Sequence, residues 1–130
     1  MNIYLAPPEA LPPGFRYPED YLRMVREQQF PDLFPWRFLG ETPDEPQGYI
    51  EAMRFAEPRH PLVPFARCED SANGDLACCD GSDSSGAPKI YFHVYAYQLP
   101  DPPWEERYHL KDFADWLRVA REESDEYQRD

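Results

Sequence analysis

Five carboxylates, Glu69, Asp70, Asp75, Asp80 and Asp83, lie between positions 69 and 83 of the chain. Their chemistry as a group is electrostatic. Presented together on a rigid scaffold, they offer a phosphate surrogate to a protein whose own working surface is basic, and they steer the encounter. The competing reading is local, because Asp70 and Asp75 flank the turn-forming pair Asn73-Gly74 and Asp side chains stabilise such turns. His93 stands between Tyr91 and Tyr95, and with Asp80 it could serve as a general base. A catalytic account also needs a nucleophile or a bound water, a stabiliser of developing charge and a pocket. The sequence has no GxSxG, no phosphate-cradling glycine loop and no HExxH, so no catalytic residue is assigned and no enzyme is expected.

Metal chemistry is equally poorly served. In DGSDSSG (80–86), Asp80 and Asp83 are hard oxygen ligands, but the spacing departs from a calcium loop and no glutamate closes it. Cys78 and Cys79 are adjacent in a predicted strand, so their thiols point to opposite faces and cannot easily share one ion. With Cys68 they make an odd count lacking a CxxC spacing, as expected of reduced core thiols in the cytosol. Neither cofactor nor metal is expected. Tyr91, Tyr95, Tyr97 and Trp104 are of the types enriched at interface centres; burial under a helix or under the N-terminal arm is the alternative for them.

These side chains need a scaffold, and composition says one exists. Proline supplies 16 of 130 residues and the net charge is −12, which approaches the disordered range. The 8 Phe, 9 Tyr and 3 Trp decide for folding, since each buries roughly 150–250 Å². The length suits a single domain. No apolar run is long enough to span a membrane, and the first fifteen residues do not read as a signal peptide. A pI near 4.6 argues against nucleic acid or anionic lipid as a direct ligand and leaves a basic protein as the natural partner.

Proline also marks the element boundaries. Residues 1–16 read as an extended proline-rich arm. YPEDYLRMVREQQ places Pro18 at the first turn of a helix over 18–28, with Glu19 and Asp20 at its positive end. Trp36 to Leu39 read as a short strand, and QGYIEAMRFAE (47–57) as a helix. LVPFARC, DLACCD and KIYFHVYAY are strand-length apolar runs separated by turn residues, predicting an antiparallel meander over 62–97. Alternation sends Ile90, Phe92, Val94 and Ala96 to a core face and Tyr91, His93, Tyr95 and Tyr97 to a half-polar one. Leu110, Phe113, Ala114, Leu117 and Ala120 predict an amphipathic helix from 110 to about 124, with an acidic tail over 125–130. The resulting expectation is an α+β fold with helices packed on one face of an antiparallel-rich sheet. An open edge of that sheet would also permit self-association.

In order and spacing, PLVPFARCED, GDLACCDGSD, PKIYFHVY and LKDFADWLRVA resemble the SUKH superfamily, whose relatives include the yeast regulator of cell-wall synthesis and many bacterial immunity proteins. YPEDYLRMV is similar to that family's proline, acidic residue and tyrosine motif at a helix start. The resemblance covers roughly residues 17–124, the single domain. QQFPDLFPWRFL stands where the family usually has an Asn-Gly-Gly turn. The resemblance implies an α+β domain with no activity of its own that in bacteria often neutralises a toxin, commonly a nuclease; joined to the acidic set, it gives the expectation of an immunity protein that occludes the toxin's basic surface. On that reading the partner contacts are Glu69, Asp70, Asp75, Asp80, Asp83, Tyr91, His93, Tyr95 and Trp104. A regulatory or scaffolding module for an endogenous protein is the alternative, and a small hydrolase using Asp80 and His93 is a second.

Overall fold

A computed structural model describes residues 2–70, 75–93 and 107–129. Helix α1 (Glu19–Glu27) begins directly after Pro18, whose fixed φ of −57° suits a helix start. It ends at Gln28 in the left-handed region, φ 52°. The Gln28 carboxamide then grips the N-terminal arm: Nε2 donates to the Ile3 carbonyl (3.0 Å) and Oε1 accepts from the Ile3 N–H (2.7 Å). Farther along the arm, Tyr4 N–H donates to the Gly40 carbonyl at 2.8 Å. Gly40 has φ 109°, and a Cβ there would collide with the Tyr4 backbone, so the close approach requires glycine. The arm is therefore part of the fold, with Ile3, Ala6, Ala10 and Phe15 buried and one 3₁₀ turn at Pro8–Ala10.

Strands β1 (Trp36–Phe38), β2 (Leu62–Cys68), β3 (Leu76–Asp80), β4 (Ile90–His93) and β5 (His109–Leu110) form one antiparallel sheet in sequential order. Pro64 is tolerated inside β2 because the ladder slips there: Pro64 pairs with Cys78 but Ala66 with Ala77. Phe65 is the extra residue. Phe65 and Ala66 consequently both join the same side-chain cluster, which strict alternation would forbid.

Helix α3 (Phe113–Arg129) and α1 cover that face. Ala66 and Ala77 pair side by side between Phe38 and Phe92 and are fully buried. Their small size leaves room for the indole of Trp116, which meets Phe65 edge-on at 4.8 Å and Phe38 at 5.9 Å. Burial pushes the hydroxyls of Tyr17 and Tyr21 well above their ordinary pKa, so both stay neutral in this core.

Helix α2 (Glu45–Ala56), with Pro46 in its first turn, changes the architecture from the expected one. Its Met53 and Tyr49 pack with Leu39, Leu62, Leu76, Cys78 and Tyr91 on the opposite face. The sheet is thus covered on both faces. Periodicity shows that a helix has an apolar side, but not which face of the sheet it meets. Cys78 and Cys79 lie in these two opposing layers as free thiols. The fold is α+β, and among the described residues no helix is long and apolar enough to cross a membrane.

Two boundaries near the C-terminus also differ. Leu110 belongs to β5, where it pairs with Ile90, rather than opening the last helix. Asp112 caps that helix instead, its Oδ1 accepting from Asp115 N–H at 2.9 Å. At the far end, residues 125–129 continue α3, and Tyr127 packs edge-on against Phe34 at 5.3 Å.

Candidate functional site

The five carboxylates do not form one group. Asp75 precedes β3 and Asp80 ends it, so a strand's length, roughly 17 Å at ~3.3 Å per residue, separates Glu69, Asp70 and Asp75 from Asp80 and Asp83. The latter pair is occupied in turns. Asp80 Oδ1 accepts from Ser82 N–H (2.9 Å), Ser82 Oγ (2.6 Å) and His60 Nε2 (2.8 Å), while Asp83 Oδ1 accepts from Ser85 N–H and Oγ, both at 2.7 Å. Burial raises the pKa of Asp80, but the Ser82 hydroxyl and N–H together with His60 outweigh it and hold the carboxyl below its ordinary range.

Tyr91 and His93 are buried, at 6% and 8% exposure, beneath the α2 layer rather than on a half-polar surface. Tyr91 lies between the rings of His60 (5.8 Å) and His109 (5.4 Å). His93 Nδ1 donates to Glu57 Oε2 at 3.1 Å, and the same oxygen accepts from Arg107 Nη1 at 3.1 Å. This buried Glu57–His93–Arg107 group ties the end of α2 to β4 and to the approach to β5, two residues before that strand, a structural use of His93. Val94, Tyr95, Ala96, Tyr97 and Trp104 lie outside the described residues, as do Asn73 and Gly74. Among the described residues, no three His, Cys, Asp or Glu side chains converge as a metal site.

The remaining acidic end has more structure around it than the sequence suggested. Arg37 projects from β1 among three carboxylates: Glu69 at 2.5 Å, Glu45 at 3.4 Å and Glu41 at 3.7 Å. Burial lowers the Arg37 pKa, but Glu69, Glu45 and Glu41 more than offset this and hold it above its ordinary value, so the guanidinium is permanently charged. Glu45 is further fixed by Gly40 N–H (2.6 Å).

Beside this corner lies a cavity of about 380 Å³, floored by Ile3, Phe30, Leu33, Trp36 and Phe38 and rimmed by Asp32, Arg37, Glu41 and Glu69. Phe34 stands at its mouth, 45% exposed, against Tyr127 of α3. The indole N–H of Trp36 donates to Glu123 Oε2 at 3.1 Å, which brings the acidic end of α3 to the same place. An apolar hollow with a charged rim at a sheet edge is suited to take up a side chain from another molecule. Sequence reasoning named Glu69 but missed Arg37, Glu41 and Glu45. The available signal was FPDLFPWRFLGETPDE (30–45), where aromatic density peaks around a single arginine followed by carboxylates. No family model, curated protein or solved structure matches the chain.

Proposed function

We propose that this domain works by binding a basic protein, as an immunity-type inhibitor that occludes the basic active surface of a nuclease-like toxin. The observation that carries the reading is the juxtaposition at β1 of an open apolar cavity with the Glu41–Glu45–Glu69 corner. Apolar contact supplies affinity and fringe charge supplies steering and choice of partner. The excess of 25 acidic over 13 basic residues adds a long-range field of the same sign. The likeness of the strand blocks and last helix to the SUKH superfamily supports the inhibitor role. Fold alone fixes no function, so weight rests on the surface. The segment that departs from the family pattern, QQFPDLFPWRFL (28–39), builds much of the cavity, as expected where a shared scaffold carries a partner-specific surface.

Affinity capture from the native cell, followed by inhibition assays on the captured protein, tests the reading. A basic protein inhibited at a one-to-one ratio is expected. Its association should slow markedly as salt shortens the ~10 Å Debye length of 0.1 M solution, while dissociation changes less. A salt-insensitive association rate counts against occlusion by charge. Protection of cells from a co-expressed toxin separates inhibition from the rival role, reversible scaffolding of an endogenous partner.

A further inference from the structure

We propose that the cavity beside β1 receives a large apolar side chain that the partner presents between basic residues, on a short segment rather than a flat face. This rests on the occlusion reading and names the partner chemistry at the same site. The hollow is at the lower end of ligand-pocket volumes and suits one or two side chains such as Leu or Phe. Its floor is apolar, so the group that enters leaves its polar atoms outside.

The rim then selects what stands on either side. Three carboxylates face one guanidinium, so the corner keeps two negative charges after Arg37 is counted. Arg37 already spans all three and is poorly placed to serve an incoming anion. Glu41 and Glu69 are each about a third exposed and so retain acceptor capacity toward solvent, and Glu123 accepts from the indole of Trp36, a lining residue. A lipid or fatty acid would bring its anionic head against this rim. A second copy of the chain would bring net charge −12 to the same field. Lysine or arginine beside the anchor turns the rim from a barrier into a contact, and rejection of acidic-flanked anchors gives specificity.

The test uses the full chain labelled with ¹⁵N and three blocked hexapeptides: Lys-Arg-Leu-Phe-Arg-Lys, Lys-Arg-Ser-Ser-Arg-Lys and Glu-Glu-Leu-Phe-Glu-Glu. The first is expected to shift the Trp36 indole N–H and the Phe34 and Phe38 amides, and to bind at least about tenfold more tightly than either control, as burial of one apolar side chain implies. Glu41→Lys, at an exposed rim position, should weaken it about tenfold. Glu51→Lys, exposed on α2 away from the cavity, should change it less than about twofold by the same arithmetic. Equal binding of the two basic peptides overturns the proposal, as do equal losses in the two variants, shifts confined to the Asp80–Asp83 end, or no shift at Trp36 at millimolar peptide. A captured basic partner that is inhibited one-to-one and is indifferent to Glu41→Lys would leave occlusion standing and remove the cavity. Tight peptide binding without any inhibited basic partner would do the reverse.

Discussion

Replacing Glu57 by alanine should cost more stability than any other single charge change on the sheet. The carboxylate accepts from Arg107 and His93 through one oxygen at 3.1 Å each, and all three side chains are no more than 10% exposed. Removing one member of a buried ionic group typically costs 3–5 kcal/mol, because the opposing charge keeps its desolvation penalty without its partner. His93 and Arg107 have further interactions, which places the expectation at the lower end, about 3 kcal/mol. With an unfolding entropy of ~2.1 cal/mol/K per residue, a chain of 130 residues gives ~0.27 kcal/mol/K, so Tm should fall by about 11 °C. Glu57→Gln, which keeps the shape and one acceptor, should lose less. Urea and thermal denaturation measure both, and a Glu57–His93 double-mutant cycle should show coupling of about 1 kcal/mol or more. A loss under ~1 kcal/mol in Glu57→Ala would refute the reasoning, since it would mean that solvent already screens the group as at a surface pair. Because the group lies under α2, partner binding by the folded variant should be unchanged.

Other perturbations probe the two layers and the rim. Ala66→Leu should destabilise by about 1–3 kcal/mol in urea titration, because the added methylenes meet Trp116 and Phe38 in a packed layer. Asp80→Asn should be less stable than wild type by about 1–2 kcal/mol at neutral pH, where charge-assisted bonds are intact. Since the folded carboxyl titrates below its ordinary value, the deficit should be full above the unfolded pKa of about 3.9 and shrink as pH falls through the folded value. In thiol titration of the native protein, Cys68 should react while Cys78 and Cys79 do not, because burial raises both thiol pKa values and closes access; prompt reaction of all three would contradict the packing. Glu126→Lys should stabilise α3 by a few tenths of a kcal/mol, removing repulsion with Glu122 and complementing the helix C-terminus. The same change should slow association with a basic partner, and an unchanged rate would separate α3 from the binding surface.

Where residues act through neighbours in sequence, the chain was readable. The strand runs carry their own alternation and turn residues, and Pro18 and Pro46 mark helix starts from within the helices or just before them. The division of the acidic set was also available, because Asp75 and Asp80 flank one strand and must sit at its opposite ends. What could not be read depends on contacts between distant positions. Nothing local in EPRHP or EERYH signals that Glu57 and Arg107 meet. The two residues of β5 are too few to show a period, so Leu110 was absorbed into the helical pattern that follows it. Arg37 became legible as a hub only once β2 brought Glu69 beside it.

Coverage of both sheet faces has a consequence for where this protein can meet another. Tyr91 and His93 of β4, which looked like interface residues, are held by α2 and its C-cap Glu57, and Trp116 is enclosed by rings from β1, β2 and α3. Among the described residues, the β1 edge is where exposed aromatic area adjoins a cavity, with Phe34 and Trp36 in its lining. The carboxylates of α3 fit that geometry. Of Glu122, Glu123, Asp125 and Glu126, Glu122 pairs with Arg118, whereas Glu126 stands in the last turn against the negative helix end and repels Glu122, so helix stability does not account for its charge. Glu123 nevertheless bonds the Trp36 indole, and Tyr127 packs on Phe34 at the cavity mouth. A helix end that costs a little stability yet concentrates negative charge beside an apolar hollow is what selection for a basic partner would leave, and it links the charge pattern of the last helix to the aromatic pattern of residues 30–38.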